Sequence, residues 1–397
     1  MQLRPAHRNL VTYAIATVAV GVAYSINDSV FNNFLNLRFS LSGFERSVLE
    51  FPRELPGLLA AGVSAIFAFL CSRRLAALSM IFSAIGVATM ALFTTSYPVL
   101  LLWLFIYSLG VHVYLPLQSA ISMELANEGE EGRRLGQIQG LRNFAAVGGS
   151  LLVLLLFRFF HGTFPMAFLI AAAIFVAAAG VMFTMPKSEK RPAKLFLKLH
   201  KEYRLFYALS VLYGCRKQIF LTFAPWVIVT VYGKPTETIA ALLTAGGAAG
   251  ILFQPLLGRA IDRLGERFVL MGEAVSLVFV CAGYGLARFL FADNVAFVIA
   301  VACYIADSML MSVSMARATY MKKIAVDPAH VTPSLTMAVS MDHVFSIVVA
   351  LLGGVVWSLL GYQAVFLLGA CIAVANFFVA RRARKFPKAQ SAAASAV

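Results

Sequence analysis

Apolar residues run along this chain in blocks of about twenty or more, separated by short clusters of Gly, Pro and charged residues. A helix rises about 1.5 Å per residue, so roughly 20 such residues cross the hydrocarbon layer of a bilayer. The pattern predicts twelve helical spans, at 10–35, 45–71, 75–95, 97–123, 134–160, 164–185, 204–232, 236–260, 268–290, 293–321, 332–360 and 362–380. The alternating pattern of a membrane β-strand is absent from these runs. The expected fold class is an all-α polytopic membrane protein.

Composition agrees. The chain is 60% hydrophobic and 13% charged, with a mean hydropathy of +0.83, against about 45–50% apolar and about 25% charged in soluble domains. No water-soluble core hides that much apolar surface.

The longest polar segment, "PKSEKRPAKLFLKLHKEYR", divides the spans six and six. The expected organisation is an N-terminal six-helix bundle at 1–185, a cytoplasmic linker at 186–203, a C-terminal six-helix bundle at 204–382 and a basic cytoplasmic tail at 383–397. In the linker Leu195, Phe196, Leu197 and Leu199 interleave with lysines, as in a helix lying among lipid headgroups.

The net charge of +15 changes the picture only through its distribution. Of 33 Lys and Arg residues, the outer loops hold Arg38, Arg46, Arg158, Lys234 and Arg288, and the spans hold Arg53, Arg142, Arg216, Lys217 and Arg317. The remaining 23 lie on the side of both termini, which the positive-inside rule makes cytoplasmic. The tail "RRARKFPK" then anchors topology, and no nucleic-acid partner is expected. The first span follows "RPAHRN" and is too long for a signal peptide. Short loops point to a bacterial inner membrane, and a monomer in the lipid bilayer is expected. Five cysteines at unpaired spacings predict neither a disulfide framework nor a metal site.

The halves echo one another. A shift of about 190 residues brings "CSRRL" (71–75) onto "IDRLG" (261–265) and Asn27-Asp28 onto Arg216-Lys217. A shift of 200 brings Arg142-Asn143 onto Asp342-His343. Polar pairs at matching depths are what a duplicated unit shows when its polar face lines a cavity.

Between spans eight and nine lies "GRAIDRLGER". It resembles the G-x-x-x-D-R-x-G-R-R signature of the major facilitator superfamily, with Gly258, Asp262, Arg263, Gly265 and Arg267 matching and Glu266 in place of a basic residue. With the twelve spans and the six-plus-six split, the resemblance covers the whole chain. It implies two pseudo-symmetric six-helix bundles and alternating access, with the glycines allowing close helix approach. It also implies that Asp262 and Arg263 close an inner gate. The equivalent first-half loop, "FLCSRRLAAL", keeps only Arg74. The resemblance to proton-coupled drug exporters is weaker, because span four has no arginine and "GLRNFAAVGG" in span five has no Gly-Pro pair.

A charge at the bilayer centre costs roughly 2.5–3.5 kcal/mol on insertion scales. In "LEFPRELPG" (49–57), a hairpin turn near "SLSG" sets Asp28 and Arg53 at one depth, roughly 10–12 Å below the surface. An ion pair between them is expected, with Glu50 and Glu54 nearby and Pro56 loosening the helix. A blander reading starts the second span after Pro56 and leaves Glu50–Glu54 in solvent. Deeper lie Arg216 and Lys217, with either a candidate partner for Asp28, and then Arg142, Asp342, His343, Asp307 and His112.

Paired charges are weak stabilisers in a dry interior, so retaining so many argues for function. Arg142 and Arg216 are expected to hold an anionic solute through their guanidinium forks, with Lys217, Asn143, His343 and His112 as further binding residues. Asp28, Arg53, Glu54, Asp342 and Asp307 are the expected proton-coupling or ion-pair set. No nucleophile elbow, metal-ligand motif or phosphate-binding loop is present, so neither an enzyme nor a cofactor is expected. The reading is a secondary active transporter of a small organic anion, coupled to protons. The alternatives are efflux of amphipathic compounds and a non-transporting membrane sensor.

Overall fold

The computed structural model describes residues 5–66, 69–127, 131–187, 199–327 and 330–384. Its helices are α1 (Pro5–Phe39), α2 (Gly43–Val48), α3 (Glu50–Ile66), α4 (Ser72–Leu92), α5 (Tyr97–Glu124), α6 (Glu131–Phe159), α7 (Phe164–Thr184), α8 (Arg204–Thr230), α9 (Thr236–Leu264), α10 (Glu266–Leu290), α11 (Asp293–Leu310), α12 (Ser314–Ile324), α13 (Val331–Leu360) and α14 (Tyr362–Arg381). Two crossings are interrupted. A single residue, Leu49, separates α2 from α3, and a tight turn at Met311–Val313 separates α11 from α12. The fourteen helices therefore make the twelve expected crossings.

Ten crossings are long and apolar enough to span a membrane on those grounds alone. The other two are α3, only 17 residues long, and α8, which carries Arg216 and Lys217 side by side. Large apolar side chains such as Phe144, Leu252, Phe279 and Leu359 stand exposed, as a lipid-facing exterior requires.

The second crossing departs from expectation in an informative way. Ser42 caps α2 in a reciprocal box with Glu45, whose amide reaches Ser42 Oγ at 3.2 Å. The helical hydrogen bonding lapses at Leu49, whose own backbone stays right-handed helical, and α3 runs through Pro56 without interruption. Pro52 sits in the first turn of α3, where its missing amide costs nothing. Glu50 and Glu54 are buried rather than solvated, which overturns the reading that put them in water.

The chain forms two compact units, residues 1–195 with 225–248, and residues 196–224 with 249–397. In the first, α1 packs on α6 and α7, α4 on α5 and α7, and α3 on α5. The α4–α5 crossing is close because a Cβ on Gly86 would strike the Tyr107 backbone and one on Gly110 would strike Ser79 and Ser83. In the second unit, α10 packs on α11, α12 and α14, with the Tyr284 and Phe366 rings 4.5 Å apart between α10 and α14. The expected linker residues Leu195–Leu197 and the tail beyond Arg384 lie outside the described residues.

Candidate functional site

Helix periodicity builds a polar cavity inside the first unit. On α1, Tyr24, Asn27, Asp28 and Phe31 follow i, i+3, i+4, i+7 spacing and share a face; on α5, Leu104, Tyr107, Ser108, Val111 and His112 do the same. With Arg53 from α3 they enclose a cavity of about 30 Å³.

The expected Asp28–Arg53 pair is present, with Arg53 Nη2 3.7 Å from Asp28 Oδ1. Arg53 Nη1 lies 3.4 Å from Glu50 Oε1, which also accepts from Arg46 Nη1 at 2.7 Å. Arg46 Nε in turn donates to Asn32 Oδ1 at 3.1 Å. Arg46 is fully buried, so its assignment to an outer loop is corrected: the Ser42 cap starts the helix early enough to turn this side chain inward. Nearby, the Ser108 hydroxyl donates to the Arg53 carbonyl, next to the residue-52 carbonyl that Pro56 leaves without its helical partner. Ser108 has thereby used its proton. His112 Nδ1, 3.0 Å from Ser108 Oγ and 2.9 Å from Ser108 O, therefore carries one itself. Asn27 Oδ1 and the Tyr107 hydroxyl are buried with no hydrogen-bond partner among the described residues.

Tyr24 and Val111 also line a second, smaller cavity with Arg142, Met80 and Phe175. Arg142 Nη1 donates to Gln118 Oε1 at 3.3 Å, and its guanidinium lies 5.7 Å from the Tyr24 ring centre. No carboxylate pairs with Arg142 among the described residues. Asn143, one residue on, accepts from Gln139 at 3.0 Å and lines neither cavity.

The second unit treats its charges differently. Arg216 is 1% exposed, pairs with Asp307, and lies 3.4 Å from Glu273. Arg317 reaches the other Glu273 oxygen at 3.3 Å. The Tyr213 ring stands beside both arginines, 3.4 Å from Arg317 and 5.1 Å from Arg216. Two cations and two carboxylates thus close on one another. Arg216 does not present the open fork expected for a solute; its charge is already met by two acids. Lys217 pairs with Asp342, and Asp28 with Arg53, so the expected link from Asp28 to Arg216 or Lys217 is replaced by partners within each unit. His343 is half-buried beside Asp342 on α13.

In the loop motif, Gly265 separates α9 from α10 at a φ of 83°, which favours glycine. Gly258 and Arg267 are half-buried. Asp262 and Arg263 are exposed and make no ion pair among the described residues; Glu266 does, with Lys323 at 2.7 Å. The first-half loop has its own clasp. Arg74 donates to the Phe183 and Met185 carbonyls at 2.5 and 3.2 Å, and Arg73 to Glu124 at 2.5 Å and the Pro186 carbonyl at 2.9 Å.

Glu273, Tyr24 and Tyr107 stand outside the sequence-based expectations. Glu273 carried a signal, as a lone acid within the predicted span 268–290.

Twelve crossings with ionised side chains turned inward define a multi-pass membrane protein of the transporter class. The family model described as Major Facilitator Superfamily matches residues 13–339, and the chain belongs to that superfamily. Among solved structures, the nucleoside transporter NupG superposes with a TM-score of 0.77 at 16% identity, covering 96% of this chain and 100% of that one. A D-xylose–proton symporter gives 0.71 at 16% identity over 95% and 99%. A bacterial homologue of the human lysosomal transporter Spinster gives 0.69 at 16% identity over 96% and 98%. The fold is thus that of two pseudo-symmetric six-helix bundles, and the protein is a transporter rather than an enzyme. Curated protein sequences contain no significant match.

Proposed function

We propose that this protein is a secondary active transporter of a small solute that carries an anionic group, working by alternating access in the bacterial inner membrane. One observation carries the substrate class. Arg142, in the first unit's interior, has a neutral amide and an aromatic ring for company and no acid among the described residues. An uncompensated guanidinium in a low-dielectric interior is costly, and a carboxylate or phosphate on the solute relieves that cost through bidentate hydrogen bonds.

Proton coupling is proposed on the carboxylates that the membrane interior retains, Asp28 with Arg53 and Asp307 with Arg216. Solved structures with a similar fold include a D-xylose–proton symporter. The test is uptake by proteoliposomes of purified protein with and without an imposed proton gradient, across a panel of small organic anions. Uptake that follows the gradient and is lost in Arg142→Ala supports the proposal. Uptake unaffected by both manipulations rejects it.

A further inference from the structure

The first unit holds a second pole. Beside Arg53 lie the acids Asp28, Glu50 and Glu54 and a second cation, Arg46, all on α1, α2 and α3. The Asp28 side chain is 36% exposed and meets Arg53 only at 3.7 Å, while Arg53 is drawn to Glu50 as well. Next to it the Asn27 carbonyl oxygen is buried without a donor. One turn away, about 6 Å along α1, Tyr24 sits beside Arg142 and borders both cavities.

We infer that the transported solute is dipolar: it carries an amine or ammonium group that donates to Asp28 and Asn27 while its anionic group meets Arg142. This rests on the anion reading of Arg142 and extends it. A protonated Asp28 can donate its own O–H to Asn27 Oδ1, so a proton is the competing occupant of this pole. An ammonium carries three donors and serves both acceptors at once. Asp28 and Tyr24 are about 6 Å apart along α1, which sets the scale for a probe whose two charges are separated by a chain.

The experiment is ligand-induced thermal stabilisation of the full chain with a matched set: 6-aminohexanoate, hexanoate and hexylamine, with D-xylose and uridine as neutral controls. The expected result is that 6-aminohexanoate binds at least about tenfold more tightly than either single-charge analogue. Asp28→Asn is expected to erase the preference over hexanoate, and Arg142→Gln to erase the preference over hexylamine. Should Asp28→Asn fold poorly, Asn27→Ala removes the orphan acceptor without changing charge and is expected to weaken 6-aminohexanoate alone. Equal affinity for hexanoate and 6-aminohexanoate overturns the second pole and leaves the anion reading standing. Binding of the neutral controls only, or no Arg142-dependent binding, overturns both.

Discussion

One carboxylate oxygen of Asp342 lies against Gly214, in the space that any Cβ at that position would occupy. The other oxygen holds Lys217, one turn further along α8. Gly214 and Lys217 are therefore a single device: the first makes room for the acid that the second neutralises.

Gly214→Ala is expected to push Asp342 off Lys217 and to destabilise the protein by about 1–3 kcal/mol, the usual range for an overpacked interior. Thermal unfolding in detergent measures it. A melting temperature equal to wild type would show that α13 yields to the added methyl without cost.

The Arg216–Asp307–Glu273–Arg317 group is balanced, so its members are expected to fail singly and tolerate paired removal. Arg216→Met or Asp307→Leu alone strands a buried charge and is expected to cost about 3–5 kcal/mol. The double variant removes one charge of each sign and is expected to recover much of that loss. A double-mutant cycle reads the coupling directly; additive losses would show that the pair does not act as a unit.

Arg74 caps the last carbonyls of α7 with two diverging donors. Arg74→Ala is expected to cost about 1.5–3 kcal/mol, as for a hydrogen bond to a charged group. Arg74→Lys should rescue it only in part, because an ammonium lacks the guanidinium fork. Hydrogen exchange at the end of α7 is the measurement, with faster exchange in both variants and the larger effect in alanine.

Gly265 has open space around its absent side chain, so substitution there tests backbone strain alone. Gly265→Ala is expected to cost about 1–3 kcal/mol, because positive φ with an extended ψ is essentially confined to glycine. If thermal unfolding shows no loss, the α9–α10 junction adopts another conformation without penalty.

Hydropathy located the crossings because lipid dictates their length, and every expected span has a helical counterpart. The Asp28–Arg53 pair was also legible, since a hairpin equates the depths of residues equally far from its turn. Arg216 was different. Its depth in α8 follows from counting residues, but its partners lie on α10 and α11, and a count along one helix carries no information on which neighbour a side chain faces. Arg46 was misplaced for a local reason. The Ser42–Glu45 capping box begins the helix before the charge, and without the lapse at Leu49 in view the residue reads as part of a loop. Arg142's isolation is likewise a property of its surroundings and not of the residues beside it in sequence.

The one-residue interruption at Leu49 leaves Arg46 on a six-residue helix and Glu50 on the next. The bond between them spans the joint and works as a strut. Leu49 keeps right-handed helical backbone, so what the joint lacks is the amide of Pro52, and the fully buried Arg46–Glu50 contact braces that turn at the outer end of the second crossing.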